Sequence, residues 1–134
     1  MGFLIDTCVW IDIQQGRLAP ADVAQVTADH PVYLSPVTLA ELKFGVEICQ
    51  DPTVRQRRQV ALRRLQRKPL LPIDAATGIV FGELAAALKA SGKGYRRRVQ
   101  DLWLASQAVQ HGYLLVTRNA SDFADIPGLD VKII

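Results

Sequence analysis

The stretch that decides the fold is FLIDTCVWID, residues 3–12. Phe3, Leu4 and Ile5 form a continuous apolar run, which is typical of a strand covered on both faces rather than one that alternates toward water. Asp6 stands where this strand ends. In open parallel α/β sheets, ligands bind beyond the carboxyl ends of the strands, so an acid at this point is a candidate for chemistry. The alternative is that Asp6 only caps the following helix.

Strand and helix signals alternate along the rest of the chain, which predicts an α/β fold with a mostly parallel sheet between layers of helices. The other predicted strands are VYLS (32–35), YLLVT (113–117) and VKII (131–134). Helices are predicted over 8–15, within 21–29, from Ser35 as N-cap with Pro36 in the first turn, over 53–68, over 75–92 and over 96–112. We find no domain boundary, and we expect residues 1–134 to form one domain.

Composition excludes several classes of protein. The chain is 49% hydrophobic and 22% charged, which is ordinary for a soluble globular domain. No apolar run approaches the roughly 20 residues of a membrane span, and the N-terminus lacks the features of a signal peptide. The two cysteines, Cys8 and Cys49, form no zinc-binding or disulfide pattern. We therefore expect a cytoplasmic protein with free thiols and no membrane contact.

Positive charge is concentrated in two segments, although the formal net charge is only +3. Residues 55–68 hold seven of the sixteen lysines and arginines and no acid, and Arg96, Arg97 and Arg98 add three more. Such patches suit a polyanion or an acidic partner protein. A solvated helix face is the alternative.

Four acids occupy positions that neither a turn nor simple exposure to solvent explains. Asp6, Glu41 and Asp122 each follow a predicted strand, and Asp101 lies near the start of an otherwise apolar helix. Carboxylates crowded into one pocket raise one another's pKa unless a divalent metal neutralises them. A donor set of oxygens without His or Cys selects Mg²⁺ or Mn²⁺ over Zn²⁺.

Each of these acids also has a structural alternative. Glu41 could close a capping box with Thr38, although Ser35 is the stronger helix start. Asp101 could complement the dipole of its helix. Asp122 could cap a turn after Asn119.

The segments FLIDTCVWID (3–12), SPVTLAELKFG (35–45) and VQDLWLASQAVQHGYLLVTRNASDFADIPGL (99–129), in this order and spacing, resemble the PIN domain, and most of all the VapC toxins of toxin–antitoxin pairs. The resemblance covers nearly the whole chain. It implies a PIN-like three-layer α/β/α sandwich and an endoribonuclease dependent on Mg²⁺ or Mn²⁺. It also implies a homodimer and inhibition by a cognate VapB-type antitoxin.

The resemblance also assigns roles to residues. Asp6, Glu41, Asp101 and Asp122 match the family's acidic metal-site positions, and we expect them to be catalytic, with Asp6 and Asp101 holding the principal ion. Thr117 and Asn119 match its polar support at the end of the last buried strand, and Thr7 is a further candidate for positioning water or phosphate. Arg96, Arg97, Arg98 and the basic stretch 55–67 are expected to hold the RNA backbone.

One position departs from the family pattern, because Cys8 stands where the family usually has Asn. A thiol is a weak hydrogen-bond partner and a soft ligand, so the water network at the metal differs and Mn²⁺ is favoured over Mg²⁺. Reduced activity is a further expectation from this change.

Two competing functions remain open from the sequence. A receiver-type phosphotransfer domain also gathers acids around Mg²⁺, but it needs a Lys at the end of a late strand, where this chain has Arg118. A catalytically silent PIN-fold module that binds RNA or an antitoxin gains some weight from Cys8. An excess of apolar residues on the first helices predicts association with a second copy or a partner. These residues are Trp10, Ile11, Ile13, Leu42, Phe44, Val46 and Ile48.

Overall fold

A four-stranded parallel sheet forms the centre of the molecule in a computed structural model that describes residues 1–134. The strands lie in the order β2–β1–β3–β4, with Phe3 of β1 opposite both Val32 of β2 and Leu114 of β3. Their bounds are Phe3–Ile5 (β1), Val32–Tyr33 (β2), Leu114–Thr117 (β3) and Val131–Ile133 (β4). The predicted parallel sheet is confirmed.

Six helices connect and cover these strands. They are α1 (Thr7–Gln14), α2 (Pro20–Thr27), α3 (Pro36–Glu47), α4 (Pro52–Leu65), α5 (Ala75–Ala90) and α6 (Val99–His111). Ser35 is the N-cap of α3, and its hydroxyl accepts a bond from the Val37 N–H at 3.1 Å. None of the helices combines the length and the hydropathy that crossing a membrane requires.

Two helix boundaries differ from the prediction. The helix predicted over 53–68 ends at Leu65, because the amides of Arg67 and Lys68 bond to carbonyls three residues back and tighten the chain before Pro69. The helix predicted over 96–112 is divided into a 3₁₀ turn over Arg96–Arg98 and α6. Arg98 separates the two with non-helical backbone angles of φ −124° and ψ 23°.

Side chains alternate across the sheet and divide the core into two layers. Leu4 and Leu115 pack with α5 and α6 on one face. Phe3, Ile5 and Val116 pack with residues of α1, α2, α3 and α4 on the other. The predicted three-layer α/β/α sandwich is confirmed, and the continuous apolar run of residues 3–5 follows from burial on both faces.

Candidate active site

Asp6 lies directly beyond β1 and is buried, with only 6% of its surface exposed. It occupies the N-cap position of α1, but its side chain makes no capping hydrogen bond, so the capping alternative is wrong. Its carboxylate oxygen Oδ2 instead accepts bonds from the Thr117 hydroxyl at 2.8 Å and from the Cys8 thiol at 3.2 Å. Both donors bind the same oxygen, which leaves Oδ1 as an acceptor.

Thr117, at the end of β3, connects this carboxylate to the neighbouring strand. Its hydroxyl donates to Asp6 and accepts a bond from the backbone N–H of Asn119 at 3.0 Å. Because a hydroxyl has one proton, the bond from Asn119 leaves that proton directed at Asp6. Asn119 therefore supports the site through its backbone, as the structure shows no hydrogen bond from its side chain to these residues.

Glu41 lies on the second turn of α3 and is held by the first residue of α1. The Thr7 hydroxyl donates to Glu41 Oε1 at 3.3 Å and lies 2.9 Å from the Thr38 hydroxyl. Since Thr7 gives its proton to Glu41, Thr38 is the donor to Thr7. The capping box between Thr38 and Glu41 does not form, and Thr38 is a buried residue of this site that the sequence did not assign to it.

Asp101 lies in the first turn of α6 and is partly buried. Burial, followed by the negative charges of Asp6 and Asp122, raises the pKa of its carboxyl to about 6, and the positive charge of Arg98 only partly offsets these effects. Burial also raises the pKa of Glu41; the Thr7 hydrogen bond opposes this rise, and the charges of Asp6 and Asp101 add to it. Asp101 therefore lies within electrostatic reach of each of the other three acids.

Asp122 is the most exposed of the four acids and ends a 3₁₀ turn over Ala120–Asp122, after β3. Its backbone N–H bonds to the carbonyl of Asn119, so the residue closes the turn with its backbone. The turn is not capped by a side chain of Asn119. The carboxylate of Asp122 makes no hydrogen bond and no ion pair, and its charge acts on Asp101.

No lysine or arginine lies within ion-pair distance of Asp6, Glu41, Asp101 or Asp122, although the protein has an excess of positive charge. Uncompensated carboxylates of this kind favour the binding of a cation, and their donor atoms are all hard oxygens. As the side chains stand, no three of them are close enough together to form a ligand group. The charge and the donor type fit Mg²⁺ or Mn²⁺, and binding requires the side chains to draw together.

Cys8 takes part in the site as a neutral donor. Burial is the main reason that the pKa of its thiol rises to about 11, and the charge of Asp6 acts in the same direction. The thiol is therefore protonated at neutral pH and donates to Asp6 Oδ2. In this role it does what an amide N–H would do at the same place, with a weaker bond.

The three consecutive arginines all line a shallow cleft beside Asp101, but they differ in their contacts. Arg96 and Arg97 are exposed and make no ion pair. Arg98 is half-buried and is paired with Asp125 through two bonds of 2.8 Å, a pairing that the sequence did not predict. The spacing of 27 residues between the two carries no local signal.

Comparisons with known proteins show the family to which the chain belongs. The PIN domain family matches residues 3–129. The chain is 33% identical to "Ribonuclease VapC4" of Mycobacterium tuberculosis over 128 residues, which is 96% of this chain and 93% of that protein. It is 31% identical to "VapC ribonuclease Y4jK" of Sinorhizobium fredii, with 96% and 94% covered.

Solved structures give the same result for the fold. The toxin–antitoxin complex VapBC-5 from Mycobacterium tuberculosis contains a chain that superposes with a TM-score of 0.75 at 30% identity, covering 99% of this chain and 97% of that one. A chain of VapBC2 from Rickettsia felis, crystallised with a DNA fragment, gives a TM-score of 0.86 at 23% identity over 100% and 99% of the two chains, which supports the fold alone. The chain belongs to the PIN-domain family, among the VapC ribonucleases.

Proposed function

We propose that this protein is the toxin of a type II toxin–antitoxin pair, a metal-dependent endoribonuclease that cleaves RNA phosphodiester bonds until a VapB-type antitoxin blocks it. Asp6 and Asp101 would hold a divalent ion, Mg²⁺ or Mn²⁺, and Glu41 and Asp122 would bind it through water or orient the attacking water. The observation that carries this proposal is the group of four acids without a single cationic partner, at the carboxyl edge of a PIN-type sheet.

The protein's own side chains prepare this site before any ion arrives. Thr117 and Cys8 fix one oxygen of Asp6, and Thr7 fixes one oxygen of Glu41. These bonds reduce the freedom that the carboxylates lose on binding. A bound divalent ion supplies a more acidic water and a counter-charge for the phosphodiester in the transition state. The hydroxyls hold the carboxylates, and the exposed side of the cluster admits the RNA backbone.

Two adjoining grooves with shared lining residues extend from Glu41 along the basic helix α4. A groove beside Glu41 is lined by Gln14, Gln15 and Arg58, and the same three residues line a larger groove of about 570 Å³ that also contains Arg57 and Arg64. Arg57 and Arg64 have no ion-pair partner, whereas Arg55 is paired with Glu47. Together with Arg96 and Arg97, they support RNA as the substrate, because unpaired guanidinium groups bind phosphates without reading bases.

Exposed apolar side chains support association with other chains. Phe44 of α3 and Ile48, the C-cap of that helix, are 58% and 61% exposed, and Ile79 of α5 is 66% exposed. Leu42 and Val46 of α3 are buried, so this helix covers the core with one face and leaves Phe44 exposed on another. A homodimer or a bound antitoxin helix would cover these residues. Association can be tested by light scattering and by co-expression with the neighbouring gene. A monomer mass at every concentration, together with no co-purifying partner, would reject both the homodimer and the bound antitoxin.

The central test is metal-dependent RNA cleavage by the purified protein. We expect cleavage of RNA in Mg²⁺ or Mn²⁺, its loss with EDTA, and its recovery when the ion is returned. The variant Asp101→Asn should be inactive, and Asp29→Asn, which changes an exposed acid outside the site, should be fully active. A folded wild-type protein that binds RNA but cuts none with either ion would favour the catalytically silent PIN-fold module instead.

The RNA surface needs a separate test. We expect Arg57→Ala with Arg64→Ala, and likewise Arg96→Ala with Arg97→Ala, to weaken binding to single-stranded RNA. The slope of log affinity against log salt should fall by roughly 0.7 for each phosphate that the variant no longer neutralises. Lys89→Ala, on the exposed side of α5, is the matched control for removal of a positive charge. An unchanged slope would assign these arginines to solvent or to the antitoxin.

A further inference from the structure

Asp122 is carried by a segment that has little regular structure of its own. The segment runs from the end of β3 through the 3₁₀ turn over Ala120–Asp122, and it is anchored in the core by Phe123 and Ile126, which are 1% and 5% exposed. Phe123 and Ile126 attach the segment to the core. They do not fix the distance between Asp122 and Asp101, because Asp101 belongs to a different element, α6.

The side chain of Arg98 connects the segment that carries Asp122 to the start of α6. It lies at the N-cap of α6, three residues before Asp101. Its Nη1 donates to Asp125 Oδ2 and its Nη2 donates to Asp125 Oδ1, both at 2.8 Å. The same Nη2 also donates to the backbone carbonyl oxygen of Asp122. One guanidinium thus joins the start of the helix that carries Asp101 to two points of the other segment, Asp122 itself and Asp125.

The chemistry of this contact requires an arginine. The planar guanidinium places two parallel N–H groups against the carboxylate and directs a further N–H toward the carbonyl. A lysine ammonium is a point charge that cannot reproduce this fork. Lys93 also approaches Asp125, at 3.4 Å, but its side chain is 55% exposed, whereas those of Arg98 and Asp125 are 23% and 20% exposed.

Asp125 also determines where the charge of Arg98 is directed, because it forms an ion pair with the guanidinium. The carboxylate of Asp125 offsets the charge of the guanidinium, so Arg98 holds the two acids in place while lowering the pKa of Asp101 only in part. If Asp125 were absent, the guanidinium would be free to pair with Asp101 or Asp122 and would compete with a bound cation.

We propose that Arg98 is a positioning residue of the nuclease, which fixes Asp122 against Asp101 through Asp125 and the Asp122 carbonyl, and that Asp125 keeps its charge away from the acids. Arg98 therefore does not belong to the RNA-binding arginines. This inference rests on the proposed function, since positioning matters only if the acids hold an ion.

Three variants separate this role from its alternatives. Arg98→Ala should weaken Mn²⁺ binding, measured by calorimetry, and lower kcat on a short RNA, each by about tenfold or more, as is usual for residues that orient metal ligands. KM should stay within about twofold. Arg98→Lys should recover only a small part of the loss. Arg97→Ala, the adjacent exposed arginine, should raise KM and leave Mn²⁺ binding unchanged.

Asp125→Asn gives an independent test, which also serves if Arg98→Ala does not fold. It should reproduce the loss of Mn²⁺ affinity and of kcat, because it releases Arg98 toward the acids. In the metal-free protein, hydrogen exchange of the Asp122 and Phe123 amides should become faster in both Asp125→Asn and Arg98→Ala. These two amides close the 3₁₀ turn by bonding to Asn119 and Ala120.

The possible outcomes are distinct. A raised KM with unchanged Mn²⁺ affinity in Arg98→Ala would make Arg98 an RNA-binding residue. A lower melting temperature with unchanged Mn²⁺ affinity and unchanged kcat in both variants would make the bridge purely structural. Either result rejects the proposal while wild-type cleavage stands. Failure of the wild type to bind Mn²⁺ and to cut RNA would reject the proposed function itself.

Discussion

Carboxylates at the carboxyl edge of the sheet and carboxylates on the outer surface have opposite surroundings. Asp12, Glu47 and Asp125 each lie within ion-pair distance of two cationic side chains. The four acids of the candidate site have none. The pKa of Asp125 falls to about 2, chiefly because of its bonds to Arg98, while the pKa of Asp101, which follows Arg98 by one turn of chain, rises to about 6.

This difference cannot come from a shortage of positive charge, because the chain has sixteen lysines and arginines against thirteen acids. Cations are available, and several of them have no ion-pair partner, but none lies within ion-pair distance of these four acids. The site therefore retains a negative charge that opposes folding in the absence of an ion. The four uncompensated acids thus differ in charge environment from Asp12, Glu47 and Asp125, and the following predictions test whether that difference has a functional origin.

The largest effect should come from removing one uncompensated charge. We expect Asp6→Asn and Asp101→Asn each to lower the rate of RNA cleavage by about 100-fold or more, because each removes a ligand charge worth several kcal/mol in the transition state. The fold should persist, with circular dichroism unchanged. Wild-type cleavage by either variant, measured with Mg²⁺ and with Mn²⁺, would remove that residue from the site.

The second effect concerns pH. The folded-state pKa of Asp101 lies above the value near 3.9 of an unfolded chain, so the carboxyl stabilises the fold most below about pH 4, and this contribution is lost as pH rises through about 6. Glu41 acts in the same direction. Allowing for solvent screening, we expect metal-free Asp101→Asn to exceed the wild type by about 1 to 2 kcal/mol in free energy of unfolding at pH 7.5.

Urea unfolding of both proteins at pH 4, 5.5 and 7.5 in EDTA measures this difference. At pH 4 the two curves should coincide, since the wild-type carboxyl is then protonated. Saturating Mn²⁺ should reverse the order at pH 7.5, because the ion binds only the folded wild type. A variant that is less stable than the metal-free wild type at pH 7.5 would mean that Asp101 is compensated after all.

For Asp125, an acid with cationic partners, we expect a smaller change in the free energy of unfolding, of opposite sign to that for Asp101. The pKa of Asp125 is lowered, so its contribution to stability is present above about pH 4 and disappears as pH falls through about 2. Asp125→Asn should therefore reduce the free energy of unfolding by about 1 kcal/mol at pH 7, and by less at pH 2. Chemical unfolding at the two pH values provides the measurement, and an equal loss at both would contradict the ionic origin.

The smallest effect should be that of Glu47→Gln. Hydrogen bonding to Lys43 lowers the pKa of Glu47, but the carboxylate is open to solvent, and about half of the side chain of each partner is also exposed. Pairs of this kind are screened by salt and contribute little. The melting temperature at 0.15 M salt should stay within experimental error. A clear decrease would show that pairing on the surface also supports the fold.

Much of the fold could be predicted from local patterns. The apolar runs at 3–5 and 114–116 have no polar alternation because both faces of these strands are covered, and Ser35 before Pro36 marks the start of α3 with its hydroxyl. The division at Arg98 could not be predicted in this way. Arginine has a good intrinsic helix propensity, and the residue with non-helical backbone angles is the one whose guanidinium bonds to Asp125, 27 residues away.

The sequence identified the four candidate acids, but it identified only some of the residues that hydrogen-bond to them. Thr7 and Thr117 contact Glu41 and Asp6 as hydrogen-bond donors. Thr38 was considered only as a cap, because its contact with Thr7 depends on how α1 and α3 cross, which no short stretch of sequence encodes. Cys8 was expected as a soft ligand, and burial makes it a protonated donor to Asp6 instead.

The pairing of β1 with β3 also determines when the site can exist. The Asp6 carboxylate is completed by Thr117, 111 residues later in the chain, and β1 lies between β2 and β3 in the sheet. A ribosome needs on the order of ten seconds to synthesise such a length of chain. During that interval the growing polypeptide lacks Asp101 or Asp122, so the four acids come together only when synthesis of the chain is nearly finished.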